Sequence, residues 1–107
     1  HVPTLVFDEV DVGIGGATAE IVGQLLRRLG LDRQVLCVTH LPQVASQAHH
    51  QLRVIKTSDG QTTETRIEAL REAERIDEIA RMLGGVSVTE QTRRHADEMI
   101  RSAQATE

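Results

Sequence analysis

TLVFDEVDVGIGG, residues 4–16, drives a short apolar segment into Asp8 and Glu9, adds Asp11, and ends on a glycine-rich turn. Leu5 to Phe7 form an uninterrupted apolar run, the pattern of a strand buried on both faces of a parallel sheet. Gly13, Gly15 and Gly16 supply the turn. From Ala17 the period changes. Ile21, Val22, Leu25 and Leu29 recur at helical spacing, while Glu20, Gln24 and Arg27 cover the other face. Gly30 stands where a C-terminal cap belongs. Gln34 to Val38 is a second short run rich in strand formers. Strand, helix, strand makes a βαβ unit, which implies a parallel pair joined by a right-handed crossover.

The remainder is a mixture. Pro42 allows a short helix from about Leu41 to Gln47. Residues 51–56 and 62–69 flank Ser58-Asp59-Gly60-Gln61, a turn signal that predicts a β-hairpin. Thr63, Thr65 and Ile67 alternate there with Glu64, Arg66 and Glu68, so one face is expected to be wet. Ile76, Ile79, Ala80 and Leu83 share a helical face that Gly84-Gly85 ends. A last helix follows, capped by Thr89 or by Ser87, which forms a Ser-x-x-Glu box with Glu90. Ala96, Met99, Ile100 and Ala103 make its apolar stripe. The fold class is thus α/β: a parallel βαβ unit, a β-hairpin and C-terminal helices.

Bulk properties narrow the setting. At 107 residues the chain is one small domain or a piece of one. With one Phe and no Trp or Tyr, its core has to be aliphatic. A net charge of −4 argues against a free-standing nucleic-acid-binding domain, but is compatible with the acidic part of a larger nucleic-acid machine. The single cysteine, Cys37, permits no intrachain disulfide, so a reducing cytoplasm is the default. No apolar run approaches the ~20 residues that span a bilayer. The chain opens without Met and enters a strand within three residues, as a fragment of a longer domain would.

In an open α/β sheet, ligands bind outside the carboxyl ends of the parallel strands. Asp8 and Glu9 close the first strand; Thr39 and His40 close the second. Adjacent strands bring acids and histidine to one crevice. Asp8 and Glu9 are neighbours in extended chain and point to different sides, so they suit different work. One acid can hold a hard cation such as Mg²⁺ through waters. The other can orient or deprotonate a water. A histidine opposite can donate to a phosphate oxygen.

Other chemistries fit less well. A dinucleotide fingerprint on Gly13-Ile14-Gly15-Gly16 needs a third small residue where Thr18 stands, and an acid after the second strand. A phosphoacceptor built on Asp8 needs a lysine at another strand end, and Lys56 lies within the hairpin. His49-His50 reads as surface and Cys37 as a small core residue. A non-catalytic interaction module, with the acids forming a Mg²⁺ or partner site, remains the alternative.

Leu5-Val6-Phe7-Asp8-Glu9 resembles the Walker B motif of ABC-type ATPases, Val10 to Gly16 their D-loop, and Val38-Thr39-His40 their switch-histidine strand. With VLCVTHLPQVA and EIARMLGG, the resemblance covers nearly the whole chain. It points to the P-loop NTPase heads of the bacterial DNA repair branch related to the structural-maintenance-of-chromosomes (SMC) proteins. It implies that residues 1–107 are the C-terminal lobe of such a head, cytoplasmic and nucleoid-associated. ATP and Mg²⁺ are the implied cofactors. Asp8 would help hold the Mg²⁺, Glu9 would be the catalytic acid, and His40 would contact the γ-phosphate. Asp11 with Gly13, Gly15 and Gly16 would link the nucleotide sites across a dimer of two heads. DNA would be engaged through the intact protein. No G-x-x-x-x-G-K-[ST] loop, Leu-Ser-Gly-Gly signature or heptad stretch occurs in these residues. The chain alone is therefore expected to be inactive, and to associate through an open strand edge.

Overall fold

β1 (Thr4–Asp8) and β2 (Gln34–Val38) pair in parallel in the computed structural model, with helix α1 (Gly16–Leu29) between them in sequence. The structure describes residues 3–8, 12–84 and 87–105. A single helical turn, α2 (Pro42–Ala45), follows β2. β3 (Leu52–Ser58) and β4 (Thr63–Ala69) form an antiparallel hairpin that is a separate sheet from β1–β2. Helices α3 (Glu72–Gly84) and α4 (Glu90–Ala105) complete the chain. The element order is the one the sequence predicts.

The core lies among the helices. Ile79 and Ala80 of α3, Ala96 and Ile100 of α4, and Ala45 of α2 form one buried cluster, with Ile76, Met82, Leu83 and Met99 packed around it. Alanines at the contact let these aliphatic helices approach closely, which suits a chain without large aromatics. Thr89 caps α4: its Oγ1 accepts from the Thr92 N–H at 3.1 Å, and Thr92 Oγ1 accepts from the Thr89 N–H at 2.9 Å. The box is therefore Thr89-x-x-Thr92, not the one expected from Ser87 and Glu90.

Two expectations about faces need correction. β1 is not buried on both sides. Leu5, Phe7, Val35 and Cys37 are half-buried on one face, whereas Val6 is 64% exposed and lies with Leu36 and Val38 on the other. No described residue supplies a layer over that second face. In α1 the buried stripe is Ala19, Gly23 and Arg27, while Ile21 and Leu25 are exposed. The helix packs against α2 through its smallest residues. A Cβ on Gly23 would lie 3.0 Å from the Gln43 carbonyl oxygen and 3.2 Å from Val44 Cα. Close backbone approach, not apolar area, selects that face.

Candidate functional site at the β1–β2 edge

In the β1–β2 ladder Asp8 is the register partner of Val38. Parallel pairing makes both strands end at the same edge, so Asp8 and the Thr39-His40 step leave the sheet side by side. Both Asp8 and His40 are exposed. Glu9 and Asp11 lie outside the described residues. The carboxylate of Asp8 has no hydrogen bond or ion pair to another described residue, which leaves it available to the water shell of a hard cation. Among the described residues no group of three His, Cys, Asp or Glu converges as a metal site. Asp8 alone can offer a cation only a partial, water-mediated hold.

The glycine turn reaches the same region from α1. Gly13 has φ +79°, in the left-handed region where a side chain is strained. Gly15 precedes α1 without a side-chain cap, and Ala19 N–H closes the first turn on the Gly15 carbonyl at 2.8 Å. A Cβ on Gly16 would sit 3.5 Å from Gln43 Nε2, so α2 and the glycine turn touch. His40 is bracketed locally: the Leu41 N–H donates to Thr39 Oγ1 at 3.1 Å, a turn that spans the histidine. A cavity of about 370 Å³ lies behind the glycine turn, lined by Gly16, Ala17, Glu20, Gln43, Ser46 and Gln47, with His95, Met99 and Ser102 from α4. Neither Asp8 nor His40 lines it.

Sequence patterning set Arg27 on the polar face of α1 and did not single out Arg75, but both are buried and hold α2 from behind. Arg75 Nη2 donates to the carbonyls of Ala45, Ser46 and Ala48 at 3.1, 3.1 and 2.6 Å, and Arg75 Nε donates to Gln51 Oε1 at 3.1 Å. Arg27 Nη1 donates to the Gln47 carbonyl at 2.6 Å. Burial, and then the nearby Arg27 charge, push Arg75 below the usual arginine range. A usable signal did exist: Arg75 stands one turn before Ile79, on the core-facing stripe of α3. His49 and His50 are both exposed, as expected of a surface pair, and Cys37, expected in the core, is half-buried.

No family model matches the chain. Sequence relatives are plain. The chain is 55% identical over 101 residues, 94% of its length, to the DNA repair protein RecN of Vibrio cholerae. It is 56% identical over 99 residues to RecN of Haemophilus influenzae, and 53% identical over 103 residues to RecN of Xylella fastidiosa. The chain belongs with RecN. It spans 18% of the length of each of these RecN proteins. A solved structure from work on the ATP-driven dimerization and DNA-stimulated activation of SMC ATPases superposes with a TM-score of 0.61. That match covers 71% of this chain and 45% of the other, at 18% identity. The chain therefore shares part of the fold of that SMC ATPase structure. Among the described residues no helix is long and apolar enough to cross a membrane.

Proposed function

We propose that the chain supplies the hydrolytic edge of a RecN-type ATPase head that acts in DNA double-strand-break repair. Support comes chiefly from one observation: Asp8 and the Thr39-His40 step leave adjacent parallel strands in register, at the edge where α/β sheets bind ligands. Asp8, at the end of a Walker B-like strand, would hold the water shell of Mg²⁺. Glu9 orients and polarises the water that attacks the terminal phosphate. His40 reaches over from β2 toward that phosphate. Bound Mg²⁺-ATP would supply the reactive phosphoryl group and its charge neutralisation. The protein groups act by positioning and by charge. Asp11 and the glycines at 13, 15 and 16 face a second head, which completes the site in a homodimer. DNA is engaged by the intact protein.

The 107 residues contain no phosphate loop and no signature motif. Alone they neither bind ATP tightly nor turn it over. Glu9→Gln in the intact protein is expected to leave nucleotide binding in place and to lower turnover by about 100-fold or more, the scale on which a general base acts. Phosphate release at saturating ATP checks this. Wild-type turnover in that variant would remove Glu9 from its role.

A further inference from the structure

We infer that Arg75, assisted by Arg27, is a positioning residue for His40, acting through the short helix α2; this rests on the ATPase reading given above. α2 is one turn, Pro42–Ala45. Helices that short do not hold themselves together in water, because nucleation is unfavourable and few bonds follow it. Its entry is fixed locally, by the Leu41 N–H on Thr39 Oγ1 and by the Leu41 carbonyl accepting from Val44 and Ala45 at 3.1 and 3.0 Å. Its exit carries local bonds, with the Ser46, Gln47 and Ala48 N–H groups on the Pro42, Val44 and Ala45 carbonyls at 2.9, 3.1 and 3.2 Å, and is also held from outside. Here four successive carbonyls, Ala45 to Ala48, are taken by two guanidinium groups. Arg27 brings α1, the helix that follows the glycine turn; Arg75 brings α3.

The chemistry of the clamp argues for geometry over packing. Both arginines are only 7% exposed. Arg75 makes no ion pair with a described residue, so its charge faces carbonyl dipoles alone, with a second cation nearby. Burying such a charge is unfavourable, and an apolar side chain of similar volume would pack that space at less cost. What the apolar residue cannot do is hold several carbonyls in fixed directions, which the rigid guanidinium fork does. With α2 held at both ends, His40 leaves β2 on a stiff path. If the clamp is released, His40 keeps its chemistry and loses its place.

The test is a double-mutant cycle on the intact protein, with turnover at saturating ATP and nucleotide affinity measured separately. Misplacing a reacting group by about an ångström lowers the rate by up to about 100-fold. Arg75→Gln is accordingly expected to lower kcat about tenfold with affinity changed less than about twofold. In a His40→Ala background the same substitution should change kcat by less than about twofold, because the residue it positions is gone. Arg27→Gln, which loses the bond to the Gln47 carbonyl, should repeat the pattern at smaller amplitude. It carries the cycle if Arg75→Gln fails to fold, as judged by circular dichroism. An unchanged kcat in Arg75→Gln overturns the inference. So does a loss that persists undiminished beside His40→Ala, which would place Arg75 in the fold alone. If instead Glu9→Gln and His40→Ala both turn over at the wild-type rate, the ATPase reading itself fails, and the clamp inference falls with it.

Discussion

Gly23 shows how a single missing Cβ sets the separation of two helices. The nearest atoms to a Cβ built there are Gln47 Cγ at 2.8 Å, the Gln43 carbonyl oxygen at 3.0 Å and Val44 Cα at 3.2 Å. Two of the three are backbone, and Gln47 is itself buried. Nothing on that side can swing away. Alanine would gain up to about 1 kcal/mol of helix propensity over glycine. Inserting a methyl into a closed contact costs about 1–3 kcal/mol. Packing wins, so Gly23→Ala is expected to destabilise the chain by about 1–2 kcal/mol. Denaturant unfolding reads this as a lower midpoint at constant slope; a midpoint at or above wild type would mean that α1 and α2 separate freely.

Turns and helix ends, as elements, were the most legible parts of the sequence. The hairpin came from Ser58-Asp59-Gly60-Gln61, and its chemistry is visible: Asp59 Oδ1 accepts from the N–H groups of Gln61 and Thr62 at 2.9 and 2.8 Å. Those backbone bonds, Thr62 first, hold the Asp59 carboxyl below its ordinary value of 3.8. A folded-state pKa below the unfolded one stabilises the turn in full above the ordinary value, and the benefit is lost as pH falls through the lower folded value. Amide protection at Gln61 and Thr62, read by NMR as the exchange rate relative to the intrinsic rate at each pH, should therefore fall on acidification in that window, and Asp59→Ala should abolish that fall. Amide protection in wild type that is flat through the same window would contradict this. What periodicity could not reveal was which face of α1 is buried. Ile21 and Leu25 outscore Ala19 and Gly23 in hydrophobicity, but only the small residues admit α2. The site divided in the same way. The shared edge of Asp8 and His40 followed from strand order, which is local. The arginine clamp joins residues far apart in sequence and needs the helix packing to be known.

The whole molecule is looser than its length predicts. Its radius of gyration is 14.5 Å, against about 13 Å for a compact domain of this size. The excess surface is apolar in specific places: Val6, Leu36 and Val38 on one sheet face, Ile21 and Leu25 on α1, and Leu52, Val54 and Ile67 on the hairpin. A parallel sheet is normally covered on both faces, and β1–β2 has two strands among the described residues, so its edges can pair further. Exposed strand edges and contiguous apolar patches favour association. The isolated 107-residue chain is thus expected to form dimers or larger species at high concentration, measured by light scattering behind size exclusion. Val6→Lys combined with Leu36→Lys places charge on the bare sheet face and should shift the population toward monomer without loss of helix content, since neither residue belongs to the buried cluster. A wild-type chain that stays monomeric at high concentration would mean that these surfaces are tolerated in water. If the double variant associates as strongly as wild type, the contact lies on α1 or the hairpin instead of the sheet.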